Sequence, residues 1–243
     1  MPRLGDLDLG PTPRIAAAAT DRDLADGGWA ALSDCIELRV DEFRDPTPAG
    51  VAAACDAARR LGKPILGTVR WSAEGGAGEL SDAQRRALYE ILAPRVDAID
   101  VELRSPLCDD IVGLARRHGR LAIVSAHDFE TTPSEATLHE RLADGGRRGD
   151  VVKIAAQART PADLTRLVDL LRRPGPPRIV IGMGAEGAAS RVFFPLLGSL
   201  LTYSFAGAPT APGQLGLPAL YDALRQYSPA FAATHPPRRA TAS

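Results

Sequence analysis

Apolar and polar positions along the chain change period repeatedly. Short runs that are apolar throughout, or alternate every second residue, give way to stretches with apolar residues three or four apart. The first kind reads as strand and the second as helix. Residues 14–20 (RIAAAAT) form the first predicted strand, followed by a helix through the mid-20s to Leu32. Residues 35–42 (CIELRVDE) form a second, with clear two-residue alternation, and an Ala-rich helix over 49–61 is closed by Gly62. The third strand is 64–70, after which Ser81 N-caps a helix running to Ala93. The fourth is 98–103, and Pro106 opens a helix ending near Gly119. The fifth is 121–128; its helix starts at Thr132-Pro133-Ser134 and stops at Gly145-Gly146. The sixth is 151–158, with Thr160-Pro161 capping a helix that reaches Arg173. The seventh is 178–184, followed by a helix near 188–198, and the eighth is 199–206. A last helix covers 217–227, and a Pro-rich, frayed tail runs from about 229. Ahead of the first strand, LDL at 7–9 suits one arm of a short N-terminal hairpin.

Eight strand–helix units imply a parallel sheet, and eight in about 250 residues is the size of a (β/α)8 TIM barrel. The competing fold is an open, doubly wound sheet. It would carry a Gly-rich dinucleotide fingerprint after its first strand, where this chain has TDRDLADGG. There is no internal repeat and no linker, so residues 1–243 are expected to form one domain of α/β class.

Composition narrows the function classes. With 29 basic and 30 acidic side chains, the charge makes no case for a nucleic-acid or membrane partner. The N-terminus lacks the apolar stretch of a secretory signal, and no apolar run approaches the roughly 20 residues that span a bilayer. Cys35, Cys55 and Cys108 are too widely spaced for a metal site and odd in number, which suits reduced thiols in a cytoplasmic protein.

The chemistry collects where a barrel of this kind keeps its active site, at the C-terminal ends of the strands. Strand two offers Glu37, Arg39 and Asp41 on one face; strand three ends in Thr68 and Arg70, and its loop adds Glu74. Strand four brings Asp100 and Glu102, strand five Ser125 and His127, and strand six Lys153. Arg191 opens the helix after strand seven, and Thr210 and Gln214 lie in the loop after strand eight. Any one of these reads as a solvated strand end or half of an ion pair. Together they would be costly inside a barrel without a ligand or a dense polar network. A lysine in an apolar strand is the most informative of them, since buried lysines tend to be paired or to give up their proton. A neutral amine attacks carbonyls. Lys153 and His127 fall on neighbouring strands about 4.8 Å apart, so both could reach one small molecule. Arg39, Arg70 and Arg191 suit an anionic, oxygen-rich ligand, and their charge would favour the neutral amine. An iminium next to a histidine supports aldol cleavage, isomerisation or elimination of water. His118, His139 and His235 fall on helices or the tail and read as surface residues.

Seven motifs occur in an order that resembles the type I 3-dehydroquinate dehydratase family, from about Arg14 to Leu220. They are ELRVD at 37–41, PILGTVR with EGG at 64–76, AIDVEL at 98–103, SAHDFETTP at 125–133, VVKIA at 151–155, GMGAEGAASR at 182–191 and GSLLTY…APGQ at 198–214. The resemblance implies a Schiff-base hydro-lyase of the shikimate pathway that turns 3-dehydroquinate into 3-dehydroshikimate. It implies Lys153 as the imine-forming lysine, His127 as the general acid/base and Glu74 as the carboxylate that orients it. Glu37 and Arg39 would hold substrate hydroxyls with Arg70 beside them as a further substrate-binding residue, Arg191 would hold the carboxylate, and Gln214 would belong to a closing loop. Asp100 would be a supporting acid. Thr210 stands where the family usually has serine; the hydroxyl is kept and the extra methyl stiffens χ1. The family implies a homodimer that needs no metal or organic cofactor. Two alternatives stay open on the residues: another class I Schiff-base aldolase or lyase, and a non-catalytic ligand-binding paralogue.

Overall fold

The computed structural model describes residues 1–209 and 213–238. It opens with a hairpin, β1 (Arg3–Leu4) paired antiparallel with β2 (Leu7–Asp8), turned at Gly5 with φ +61°. Eight parallel strands follow: β3 (Ile15–Ala19), β4 (Cys35–Arg39), β5 (Ile65–Thr68), β6 (Ala98–Glu102), β7 (Leu121–Asp128), β8 (Val151–Gln157), β9 (Arg178–Met183) and β10 (Thr202–Phe205). Their order in the sheet is β10-β3-β4-β5-β6-β7-β8-β9, so from β3 to β9 each strand pairs with the next in sequence and β10 returns to pair with β3. With helices in the crossovers, this is a near-closed (β/α)8 barrel carrying a short N-terminal hairpin. Among the described residues β9 and β10 share no ladder. Isolated bonds tie β9 to the segment that leads into β10: the Ser199 hydroxyl accepts from Val180 N (3.0 Å) and donates to Val180 O (3.3 Å), and Leu200 N donates to Arg178 O (3.0 Å).

The hairpin closes the N-terminal end of the barrel. Leu4 and Leu9 are fully buried against the first inward side chains of the strands, among them Cys35, Leu66, Ala98, Val151 and Ile179. That apolar plug fills the barrel interior at this end, and the strands' C-terminal end stays open. The outward strand residues form three further apolar clusters under the helices, and this two-sided burial is why the strands read as near-continuous apolar runs.

The helix caps follow local chemistry. Thr47, Ser81, Ser134 and Thr160 each accept a hydrogen bond from the third residue beyond, and Ser81 and Thr160 complete capping boxes with Gln84 and Asp163. Several boundaries differ from the sequence expectation. The first crossover is not a helix but two 3-10 turns, Asp23–Ala25 and Gly27–Leu32, because Gly27-Gly28 gives it little helix propensity. Strand two stops at Arg39 and turns into 3-10 at Val40–Glu42, so Asp41 lies beyond the strand rather than on its face. The helix expected from Pro106 begins at Cys108. Gly145-Gly146 does not end its helix, which runs Glu135–Arg148. A Cβ on Gly145 would meet Val152 at 2.9 Å and one on Gly146 would meet Pro176 at 2.7 Å; these glycines let the helix approach the sheet. The helix near 188–198 is a single turn, Gly184–Gly187, followed by Ser190–Leu196. The tail carries a helix, Pro229–Thr234, where fraying was expected: Phe231 is fully buried, and His235 stacks on it at 3.7 Å between centroids. His235 is also not a surface residue; its ring faces Asp34 at 3.1 Å. Among the described residues no helix is long and apolar enough to cross a membrane.

Candidate active site

The open end of the barrel holds a cavity of about 470 Å³. Eight of the sequence-derived candidates line it: Glu37, Arg39, Arg70, Glu74, His127, Lys153, Arg191 and Gln214. Thr210 lies outside the described residues. Two-residue alternation explains the convergence. Glu37 and Arg39 on β4, Asp100 and Glu102 on β6, Ser125 and His127 on β7 and Lys153 on β8 all occupy inward positions, and register aligns Lys153 with Ser125 and Ser125 with Glu102.

Lys153 is 4% exposed. Its Nζ lies 3.0 Å from Asp100 Oδ2 and 3.7 Å from Glu37 Oε1, and 4.2 Å from the centroid of the Tyr203 ring. The amine was expected to face arginines; its nearest charged neighbours are carboxylates. Asp100, fully buried, binds the lysine with one oxygen. Its other oxygen accepts from Arg70 Nη1 at 3.0 Å and from the Ser125 hydroxyl at 2.6 Å. Burial alone would raise this carboxyl; Arg70 and Lys153 reverse that and hold it far below the carboxylate range.

The three arginines divide into two kinds, where equal roles at an anionic ligand were expected. Arg39 grips Asp41 bidentately at 3.0 and 2.8 Å and reaches Glu42 at 2.7 Å. Arg70 spans Asp100, Glu102 (2.8 Å) and Ser125 (2.9 Å). Burial opposes the charge of Arg70, but Asp100 and Glu102 outweigh it and keep the group above its ordinary value. Glu102 is shared with Arg85 Nη2 at 2.6 Å and Trp71 N at 2.9 Å, so this part of the wall is a saturated ionic lattice. Arg191 is 2% exposed and lines the cavity beside Met183, Tyr203 and Gln214. Burial pushes it down to about 10, which leaves it cationic at neutral pH.

His127 sits at the rim of β7, two register positions beyond the Ser125–Lys153 pair and so on the same face. Glu74 Oε2 accepts the His127 backbone N–H at 2.9 Å and faces ring Nδ1 at 3.2 Å. This places the proton on Nδ1 and turns Nε2 away from Glu74 as the basic nitrogen. Burial first, then the nearby charges of Arg70 and Lys153, drive the imidazole well below its ordinary 6.5. The ring is therefore neutral at neutral pH. Burial also raises Glu74, partly offset by Arg104, whose Nε donates to Glu74 Oε1 at 2.9 Å. Loop geometry keeps Glu74 in place. Gly75 takes φ +82° with Phe129 across it, and a Cβ on Gly76 would stand 2.1 Å from Arg70 O.

Sequence reasoning missed Arg104 and the apolar walls Tyr203, Phe129, Ile181 and Met183. Tyr203 could have been found: inward alternation along 202–205 points it into the barrel, but only the loop beyond that strand had drawn notice. Arg104 follows the fourth strand in a turn, where sequence periodicity carries no information about partners.

Fold and site together define a (β/α)8-barrel enzyme built around a buried lysine with a histidine on the adjoining strand. The chain belongs to the type I 3-dehydroquinase family, whose model matches residues 18–229. A 3-dehydroquinate dehydratase of Methanocella arvoryzae is 33% identical over 213 residues, covering 88% of this chain and 96% of that protein. Among solved structures, the 3-dehydroquinate dehydratase of Aquifex aeolicus superposes with a TM-score of 0.79 at 31% identity, over 88% of this chain and 98% of that one. That of Geobacillus kaustophilus gives 0.82 at 28% identity, over 90% and 93%.

Proposed function

We propose that this protein is a hydro-lyase that converts 3-dehydroquinate to 3-dehydroshikimate and water through an imine on Lys153, in the shikimate route to aromatic amino acids. The observation that carries the reading is one cavity lined by a buried lysine, an inward neutral histidine on the next strand and a carboxylate fixed behind that histidine.

The amine must shed a proton before it attacks the C3 carbonyl of the substrate, and the neutral imidazole of His127 is the base available to take it. His127 hands that proton to the carbinolamine hydroxyl, which leaves as water, so the histidine is neutral again and the protonated imine draws electrons from C2. His127 removes the C2 proton and then protonates the C1 hydroxyl as it departs, so one nitrogen serves as base and acid in turn. Water hydrolyses the imine and returns the free amine. Glu74 orients the imidazole and offsets its charge while it carries the proton. Asp100 stays anionic beside the developing iminium, and Arg191 is placed to take the substrate carboxylate. Glu37, Arg39 and Gln214 line the same cavity and suit the substrate hydroxyls.

Borohydride added with 3-dehydroquinate should reduce the imine and leave a stable adduct on Lys153, located by peptide mass spectrometry. An active preparation without label on that lysine would sink the mechanism.

Two further features support the family's usual setting. Phe193, Leu196, Leu197 and Tyr227 are all more than a third exposed, and the Phe193 and Tyr227 rings lie 5.8 Å apart. Such a patch suits an interface with a second copy of the chain. Phe193→Asp should then halve the mass seen by sedimentation. Cys35, Cys55 and Cys108 are buried free thiols, which fits a reducing cytoplasm.

A further inference from the structure

Tyr203 lines the cavity with a polar side-chain atom that, among the described residues, the fold leaves unused. On β10 it is flanked by Thr202 and Ser204, whose hydroxyls donate to backbone carbonyls outside the sheet, Arg191 O and Leu215 O, both at 2.7 Å. Alternation therefore turns Tyr203 inward, where it is 3% exposed and lines the cavity with Lys153 and Arg191. Its ring lies against the lysine, 4.2 Å from Nζ. Its hydroxyl is buried and, among the described residues, has no hydrogen-bond partner.

A buried phenol without a partner is a net loss to folding. Phenylalanine would fill the same volume and meet the lysine with a similar ring face, without that loss. Packing therefore accounts for the ring and not for the oxygen. The oxygen is also held as a neutral O–H: burial, then the charges of Glu37 and Asp100, raise it well above its ordinary value. A donor in that state, beside the reacting nitrogen and within the electrostatic reach of Arg191, is matched to an oxygen-rich anionic ligand.

We propose that Tyr203 is a substrate-binding residue of this site, its ring packed against the imine nitrogen and its hydroxyl donating to a hydroxyl or carboxylate oxygen of the bound cyclic acid. The inference rests on the proposed dehydratase reading and adds a polar contact to it. Binding supplies the partner that folding does not.

The test is Tyr203→Phe in the full chain, assayed with 3-dehydroquinate beside a thermal melt. One net hydrogen bond corresponds to about 3–10-fold in affinity. KM should rise by that factor, with kcat changed by less than twofold and the melting temperature equal or higher. An unchanged KM overturns the proposal. So does a lowered melting temperature, which would mean that the hydroxyl serves the fold. Borohydride trapping on wild-type Lys153 keeps the two levels apart: no adduct there defeats the dehydratase reading, whereas an adduct with an unchanged Tyr203→Phe KM defeats only the role of Tyr203.

Discussion

Glu74→Gln isolates the contribution of one charge to the acid/base pair. Glu74 receives donors on both oxygens: the His127 backbone N–H and Nδ1 on Oε2, and Arg104 Nε on Oε1. A glutamine has one oxygen for these two sides. If the amide oxygen faces His127, its NH2 meets the Arg104 donor; if it faces Arg104, the NH2 meets both donors of His127. The side chain of Arg104 is 50% exposed and can swing into water, so the first arrangement wins. The imidazole then keeps its tautomer and its place. What is lost is the charge on the acceptor while the ring carries the substrate proton. Charge-assisted hydrogen bonds are about twice as strong as neutral ones, and the difference is about 1–1.5 kcal/mol, or close to tenfold in rate. Glu74→Ala removes the acceptor as well and should cost about a hundredfold. Both losses belong in kcat, with KM within a factor of about three, because Glu74 orients a proton carrier and binds no substrate in this reading. The assay is steady-state dehydration, with borohydride trapping as a control for imine formation, which should still proceed in both variants. A Glu74→Gln enzyme with wild-type kcat, or one as slow as Glu74→Ala, would refute the assignment.

Four other outcomes follow from the same geometry. His127 is held well below 6.5, so the acid limb of kcat/KM should fall below that value; a limb above it would mean another base. Asp100→Asn leaves Arg70 and Lys153 short of their shared anion and should destabilise the fold by about 3–5 kcal/mol, read in a melt, with loss of turnover. The same carboxyl is depressed relative to its unfolded 3.8, so its stabilising effect is complete above that pH and should be lost as pH falls through the folded value in an acid titration. Arg191→Ala should raise KM far more than it lowers kcat; an unchanged KM would mean that the carboxylate is held elsewhere.

The barrel was legible because each strand announces itself twice, by an apolar run and by the cap or glycine of the next element. Boundaries failed where a residue plays a tertiary role that its local propensity does not express. Gly145-Gly146 reads as a stop signal, yet serves close packing against Val152 and Pro176. Phe231 reads as a stray apolar residue in a Pro-rich tail and is a fully buried anchor. In the site, period two located Glu37, His127 and Lys153, because inward position is a local property. It could not show that Arg39 and Arg70 are engaged by carboxylates, since those partners come from a turn, Asp41, and from β6. Arg104 was invisible for the same reason; Tyr203 was within reach of the alternation, but an aromatic residue in a strand ordinarily signals packing alone.

Among the described residues no ladder joins β9 to β10, and in the proposed mechanism this divides the labour of the cavity wall. Lys153 and His127 stand on β8 and β7, adjoining strands fastened by consecutive paired residues, and cannot drift apart without breaking sheet. Arg191 stands on the helix Ser190–Leu196 that follows β9 and Gln214 follows β10, so the cavity residues on that side come from either side of the joint. On the proposed roles, small spreading there should loosen the grip on a ligand while Lys153 and His127 keep their alignment. Residence time and chemical rate are thereby attached to different mechanical parts of one sheet, and amide exchange should register the difference, with β10 opening ahead of β7 and β8.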